Sequence, residues 1–249
     1  MTRPPLPSGF VEVQKHSQIW WVREEWTAVL PELLATPDAI AQHSTPVAVS
    51  GGRGDMRRLP LDDGGCAMIR QYQRGGFVRH FVRDRYWGRP FRPFTELHCT
   101  EEARRRDVPT IEALGAGVTQ LGGGCYRGLF ISREAVACVN LWEWLQQRPM
   151  SLARTAVLTA VAQAIRHMHD VGIFHADLNL TNLLVRADTT PPDVRIIDFD
   201  RGHVYPQPLS QGQREQNLRR LWRSWRKLDQ EGAFVTPEDV ATFDQRYWA

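Results

Sequence analysis

The sequence predicts an α+β protein with a β-rich front half and a helical back half. Three observations carry this. Residues 47–72 hold short strand-like runs, "VAVS", "MRRLPL" and "CAMIRQY", separated by the turn signals "GGRGD" and "DDGG". After Pro149, "SLARTAVLTAVAQAIRHMHDVG" repeats apolar residues at three- and four-residue spacing, the pattern of an amphipathic helix. Near the end, "GQREQNLRRLWRSWRKLD" reads as a second helix.

The N-terminal segment carries "IWWVREEW" between Pro-bounded pieces and predicts a short helix packed on the main body. From Val47 to residue 72, three antiparallel strands are expected, with Asp63-Gly64 as a two-residue hairpin turn. A helix follows at "FTELHCTEEARRR", begun by Pro93 and ended before Pro109, and "CYRGLFIS" supplies further strand. In the long helix after Pro149, Ser151 is the expected cap and Gly172 the stop. "NLLV" and "VRIIDFD", joined by the turn "RADTTPPD", then make a hairpin.

Composition narrows the class. A chain of 249 residues can bury a sizeable core as one large domain or two lobes. Its 42% hydrophobic and 24% charged residues are ordinary for a soluble enzyme, and a formal charge of +3 is too small by itself to imply nucleic acid, for which no module is recognisable. Arginines cluster from Arg79 to Arg92 and from Arg214 to Arg226, which suits solvated faces or an anionic partner. Cys66, Cys99, Cys125 and Cys138 have no C-x-x-C or zinc spacing and read as reduced thiols of a cytosolic protein. The start lacks an apolar signal region, and "AVLTAVAQAI" falls short of the roughly 20 residues a bilayer span needs, so any membrane contact is expected to be peripheral.

The chemistry concentrates in "IFHADLNLTNLLV", residues 173–185, where two apolar runs are interrupted by His, Asp and two Asn. Buried polar groups cost free energy unless paired, so such a cluster marks a tight turn or a site. Phosphoryl transfer from ATP needs a carboxylate to orient the acceptor hydroxyl and take its proton, oxygen ligands for metal ions, and a cradle for the phosphates. Asp177 can serve the hydroxyl and Asn182 can offer a neutral oxygen to a metal. Asp198, in "IIDFD" at the end of a strand, can ligate the metal bridging the phosphates, and the intervening hairpin brings the three groups together.

"HADLNLTN" followed by "IIDFD" resembles the catalytic loop and metal motif of the protein-kinase-like fold. Upstream, "SGGRGDMRRLPLDDGGCAMIRQY" is similar to its glycine-rich hairpin and third strand. Together with "MIRQYQRGGFVRHFVRDRYW" and "NLRRLWRSWRKL", the likeness narrows to the bacterial 3-deoxy-D-manno-octulosonic acid (Kdo) kinases of lipopolysaccharide synthesis, over roughly residues 45–230. The resemblance implies a two-lobed protein-kinase-like fold: residues 1–45 an N-terminal extension, residues 46–135 the small antiparallel β-sheet lobe, residues 136–249 a larger, shortened helical lobe. It implies ATP and Mg2+ held between the lobes. Asp177 would be catalytic, with Asn182 and Asp198 on the metal. Arg70 would stand in for the phosphate-gripping lysine, with Glu96 as its partner ahead of Glu101 and Glu102. Backbone N–H groups of Gly51, Gly52, Arg53 and Gly54 would cap the phosphates.

The departures from the family pattern carry information. Ala176 replaces the arginine that receives an activation-loop phosphate in regulated protein kinases, and Asp200 replaces the last glycine of the metal motif. Arginine at position 70 presents a planar fork where lysine presents a point charge. Only 49 residues follow Asp200 and no Ala-Pro-Glu occurs among them, so a peptide-binding platform and a protein substrate are not expected. The third glycine of the nucleotide loop is absent.

The remaining polar groups have plainer readings. His175 is expected to brace the loop, Asn179 divides evenly between site and turn, and His167 and His169 face different sides of a helix and cannot share a metal. Trp222 and Trp225 sit among Arg219, Arg220, Arg223, Arg226 and Lys227, which suits core tryptophans with a solvated basic face or a helix resting on an anionic leaflet. The resemblance implies Kdo-lipid IVA, phosphorylated on the 4-hydroxyl of Kdo, as substrate. It also implies a peripheral position on the cytoplasmic side of the inner membrane of a Gram-negative bacterium. Arg79, Arg83, Arg85, Arg89 and Arg92 are candidates for its phosphates or sugar carboxylate. Other acceptors, a lipopolysaccharide heptose or a small alcohol, and a non-catalytic nucleotide- or lipid-binding relative, stay open.

Overall fold

The computed structural model describes residues 3–47, 56–72, 86–88 and 90–249. It divides into two compact units, Met1–Glu101 with Glu112–Glu134, and Glu102–Ile111 with Ala135–Ala249.

The first unit opens with the antiparallel pair β1 (Phe10–Lys15) and β2 (Gln18–Arg23), where a helix was expected. The physical reason lies in Ile19-Trp20-Trp21-Val22, a β-branched and aromatic run whose successive side chains point to opposite faces of a strand. Trp20 joins Leu59, Ile69, Leu114 and Ile131 in one core, while Trp21 stacks on Phe94 with ring centroids 4.5 Å apart. Helical geometry follows only in a 3-10 turn at Glu24–Trp26 and in two short helices, α1 (Leu30–Leu33) and α2 (Pro37–His43). Thr36 caps α2 by accepting from the Ala39 N–H at 3.1 Å.

Next come β3 (Thr45–Val47), β4 (Met56–Pro60) and β5 (Cys66–Gln71), all antiparallel. The expected first strand ran onward from Val47; its residues 48–50 lie outside the described residues. The turn between β4 and β5 is a three-residue loop, not a two-residue one. Gly64 N–H returns to the Leu61 carbonyl at 3.1 Å, while Leu61 N–H donates to the Gly65 carbonyl at 2.9 Å. Gly64 takes φ +81°, the left-handed residue that closes such a loop.

After β6 (Tyr86–Trp87), α3 (Arg92–Arg105) buries Phe94, Leu97 and Ala103 and, among them, Glu96. β7 (Ala113–Gly122) and β8 (Cys125–Arg133) complete an antiparallel sheet in the order β1-β2-β7-β8-β5-β4-β3, with β6 added beside β8. Gly117 pairs with Trp20 across β2 and β7, and a Cβ there would run into the indole ring. Glycine is what lets Trp20 lie flat against its neighbour strand.

In the second unit, β9 (Val139–Asn140) leads into α4 (Leu141–Gln146), capped by the Asn140 side chain. α5 (Ser151–Asp170) buries Val157, Val161, Ile165 and Met168 at helical spacing. Ser151 is its first helical residue; the N-cap is Met150, with no side-chain cap bond, so the expected serine cap is not used. Gly172, at φ +79°, ends the helix where any Cβ would strike the carbonyls of Tyr205 and Gln207. β10 (Ile173–Phe174), the hairpin of β11 (Leu183–Arg186) with β12 (Asp193–Ile196), and β13 (His203–Val204) follow. α6 (Gln211–Leu228) begins with a Ser210–Gln213 capping box, and α7 (Pro237–Trp248) begins with one between Thr236 and Asp239. α7 is tied to α5 by a two-pronged contact in which Arg154 Nε and Nη2 each donate to Asp239 at 2.6 Å.

Residues 102–111 belong to this unit because their polar groups are spent there. Arg106 Nη1 donates to the carbonyls of Val171 and Tyr205 at 2.6 and 2.7 Å, and Ile196 N–H donates to the Pro109 carbonyl at 2.8 Å. The Thr110 hydroxyl donates to the Ile196 carbonyl at 2.5 Å. Strand β12, which delivers Asp198, is therefore held on two sides.

Candidate functional site

In the first unit, β5 and α3 bring Arg70 and Glu96 together. Arg70 Nη2 donates to both Glu96 carboxylate oxygens, and the Tyr72 hydroxyl donates to one of them. Glu96 is 1% exposed, and a carboxylate so deeply buried costs several kcal/mol unless it is paired and hydrogen-bonded. Arg70 and Tyr72 meet that demand. The competing glutamates are engaged elsewhere: Glu101 with Arg23 at 2.9 Å, and Glu102 with Arg105 and Arg106 at 2.8 and 3.3 Å. Arg92 lies over the rings of Tyr86 and Tyr72, at 4.9 and 5.5 Å. Gly51, Gly52, Arg53 and Gly54, like Arg79, Arg83, Arg85 and Arg89, lie outside the described residues.

In the second unit, the loop from His175 to Asn182 is fixed by its own side chains. Asn179 caps a 3-10 turn at Leu180–Asn182: its Oδ1 accepts from Thr181 N–H at 2.9 Å and Asn182 N–H at 3.1 Å, and its Nδ2 donates to the Asp177 carbonyl at 2.9 Å. The turn reading therefore accounts for Asn179. Asn182 Nδ2 donates to the same Asp177 carbonyl at 2.9 Å, which turns its amide oxygen the other way. The Asn182 carbonyl in turn accepts from Ile197 N–H at 2.9 Å, next to Asp198. Asp177, Asn182 and Asp198 thus belong to one short circuit of backbone and amide bonds. The Asp177 side chain is exposed, Asn182 is buried, and Asp198 is half-buried with its backbone at φ +67°.

His175 ties this circuit together. Its Nε2 lies 2.9 Å from the Ile197 carbonyl, which can only accept, so Nε2 carries the proton. Nδ1 is then the acceptor for Asp177 N–H at 3.1 Å. The ring also rests on the fully buried Phe199, centroids 5.0 Å apart. Burial is the main reason its pKa falls below the ordinary imidazole value; the Ile197 carbonyl, Asp198 and Asp177 push the other way, and Arg220 adds to the fall.

Four residues that hold the loop from behind were not singled out for that role by sequence. Asn217 on α6 clamps His175 on both sides, accepting from its N–H at 3.1 Å and donating Nδ2–H to its carbonyl at 2.9 Å. Ser224, two turns on, accepts from Leu180 N–H at 3.1 Å. His169, expected to be an ordinary helix residue, is completely buried; its Nε2 meets Asn217 Oδ1 at 3.1 Å and its Nδ1 meets the Tyr247 hydroxyl at 2.6 Å. Asn217 Oδ1 can only accept, so His169 also carries its proton on Nε2, and its Nδ1 accepts a hydrogen bond from the Tyr247 hydroxyl. The local signal was faint: an asparagine in a polar run, one residue before the buried Leu218.

Trp222 and Trp225 pack edge-on to each other at 5.7 Å, and Trp222 packs on Phe243 of α7 at 4.9 Å, which is the core reading of these tryptophans. Arg219, Arg223, Arg226 and Lys227 remain on the exposed side of α6. No described helix is long and apolar enough to cross a membrane.

The model of the lipopolysaccharide kinase (Kdo/WaaP) family matches residues 41–247. The chain belongs to that family. It is accordingly a phosphotransferase. The chain is 31% identical to the 3-deoxy-D-manno-octulosonic acid kinase of Vibrio vulnificus, across 82% of this chain and 83% of that one. It is 35% identical to the enzyme of the same name from Xanthomonas axonopodis pv. citri, across 78% and 75%. Among solved structures, WaaP in complex with acyl carrier protein matches with a TM-score of 0.59, over 90% of this chain and 84% of that chain, at 17% identity. At that identity the likeness shows the fold, which is the protein-kinase-like α+β fold with an antiparallel sheet. A kinase family uses ATP as phosphoryl donor.

One consequence of the loop's support concerns pH. His169 is lowered from 6.5 to about 4, by burial first, against the Asn217 hydrogen bond that raises it. The unfolded chain therefore takes up this proton first as pH falls. The stability from keeping His169 neutral is present above 6.5 and is lost as pH drops from 6.5 towards 4. His175 acts in the same direction. Chemical unfolding across that window should show stability falling with pH, and His169→Gln should flatten the fall; an unchanged slope would mean His169 is not the group responsible.

Proposed function

We propose that this kinase transfers the γ-phosphoryl group of ATP to a hydroxyl of Kdo in Kdo-lipid IVA, at the 4-position. The reaction would take place on the cytoplasmic side of the inner membrane of a Gram-negative bacterium. The observation that carries the reading is the circuit joining Asp177, Asn182 and Asp198, in a chain whose relatives are named Kdo kinases.

Asp177 is the exposed carboxylate of the loop, and its backbone is held from both sides: His175 takes its N–H, and Asn179 and Asn182 donate to its carbonyl. A carboxylate on so fixed a backbone can orient an alcohol and accept its proton as the oxygen attacks phosphorus. Asn182 and Asp198 supply one amide oxygen and one carboxylate, hard donors of the kind Mg2+ prefers, so the residues present fit that ion. When bound, the ion neutralises charge on the β- and γ-phosphates. Arg70, positioned by Glu96, would steady the phosphates with a planar fork.

The exposed basic residues of α6, Arg219, Arg223, Arg226 and Lys227, suit a peripheral contact with an anionic leaflet, at ~1 kcal/mol for each basic residue near the surface. Co-sedimentation with vesicles rich in anionic lipid should therefore succeed at low salt and fail at high salt; indifference to the vesicles at low salt would remove the membrane contact from the proposal.

The catalytic assignment is tested with Kdo-lipid IVA, labelled ATP and mass spectrometry of the product lipid. The wild type should add one phosphate to Kdo. Asp177→Ala should lower kcat by at least about 100-fold while ATP binding stays within about twofold. A heptose-phosphorylated product, or an active Asp177→Ala protein, would overturn the assignment.

A further inference from the structure

Phosphorylating a sugar acid sets a problem that Asp177, Asn182 and Asp198 do not solve. The acceptor brings its own carboxylate towards a loop whose functional side chains include two other carboxylates. Like charges at such a site repel, and the repulsion grows as water is excluded. A cation beside the loop, not already neutralised by the protein, would resolve the conflict.

Helix α6 carries a residue of this kind. Asn217 and Ser224 lie seven residues apart on one stripe of the helix, and both hold the loop, through His175 and Leu180. The residues between them in height are Arg220 and Leu221, which flank the stripe on opposite sides at 100° per residue. Leu221 is 1% exposed and turns into the apolar cluster of Leu141, Leu158, Trp222 and Phe243. Arg220 lies on the other flank.

Its burial sets it apart from Arg219, Arg223 and Arg226, which are exposed. Arg214 is paired with Asp170 at 2.7 Å, and Arg219 donates to the Glu215 carbonyl at 3.3 Å. Arg220 is half-buried, and its Nε–H is fully buried with no hydrogen-bond partner. Among the described residues it makes no ion pair and no hydrogen bond. A buried donor left unsatisfied costs about 1–3 kcal/mol, more on a charged group, and native structures keep few of them without a reason. Asn217 and Ser224, one on each side of Arg220 along the helix, both bond the loop that carries Asp177, so this cation lies beside that loop.

We propose that the Arg220 guanidinium is the receptor for the carboxylate of the sugar-acid acceptor, binding it as the hydroxyl is presented to Asp177. This rests on the Kdo kinase reading and names the group by which that acceptor is told from a neutral sugar. Arginine suits the task because its planar fork matches a carboxylate with two parallel N–H donors, and its orphaned Nε–H gains a partner only when the ligand arrives. Asn182 and Asp198 serve the nucleotide's metal, so the Arg220 contact should be felt by the acceptor and not by ATP.

The test compares Kdo-lipid IVA with its Kdo methyl ester, on the wild type, Arg220→Gln and Arg220→Lys. For the wild type, the ester should raise the acceptor KM by about 10- to 100-fold, the range for a hydrogen bond to a charged group. Arg220→Gln should raise the KM for the acid by a similar factor and no longer distinguish acid from ester. Its KM for ATP should stay unchanged, and Arg220→Lys should fall between. Equal use of acid and ester by the wild type would overturn the proposal, and this arm needs no variant to fold. So would an Arg220→Gln protein that still prefers the acid, or one whose loss is confined to KM for ATP, which would assign Arg220 to the nucleotide's phosphates. If the wild type phosphorylates no Kdo acceptor, the proposed function falls separately. Titration calorimetry of free Kdo and its methyl ester then still decides the Arg220 contact, which requires tighter binding of the acid by the wild type and no preference in Arg220→Gln.

Discussion

The second unit depends on one small ring. His175 donates to the Ile197 carbonyl and accepts from Asp177 N–H, so a single neutral imidazole spans the two backbone segments that carry Asp177 and Asp198. Neither segment has regular secondary structure where it matters, and Asp198 sits in a left-handed backbone conformation that few non-glycine residues adopt. Such a geometry persists only where its surroundings over-determine it. Here the supports are the His175 bridge, the Ile197–Asn182 bond, and the pinning of β12 by Pro109 and Thr110.

The bridge is itself held from the helical side. Asn217 takes both backbone groups of His175, His169 takes the remaining lone pair of Asn217, and Tyr247 completes the line from α7. Because His169 and His175 both work as Nε2–H tautomers, every bond in this chain has a definite direction. Buried polar networks are costly when any member is unsatisfied and stiff when all are satisfied. This one is satisfied, and it ends on the loop that carries Asp177.

Much of this was legible in the sequence, for reasons that can be named. The long helix, the β11–β12 hairpin and α6 follow from periodicity and turn chemistry, which are local. The convergence of Asp177, Asn182 and Asp198 follows from a short loop and a hairpin, also local. What failed were features decided by tertiary contact. Ile19-Trp20-Trp21-Val22 became a strand because Gly117 and Phe94 wait on its two faces. Ser151 lost its capping role to the preceding residue, and the Asp63-Gly64 turn gained a residue because Leu61 closes it. His169 and Asn217, 48 residues apart, have no shared sequence signal at all; only the packing of α5 against α6 introduces them. Glu96 could be ranked above Glu101 and Glu102 only by family pattern, whereas the structure shows Arg23, Arg105 and Arg106 occupying the other two.

The bridge between the Asp177 and Asp198 segments stands or falls with the protonation state of His175. Nitrogen-15 NMR of imidazole-labelled protein, with His175 assigned by comparison with a His175→Gln variant, reads both the charge and the tautomer of this ring. A neutral ring protonated on Nε2, persisting as pH is lowered through the ordinary histidine value of 6.5, is the predicted result. A ring that becomes cationic at that pH with the fold intact, or one protonated on Nδ1, would contradict it, because Asp177 N–H would then have no acceptor.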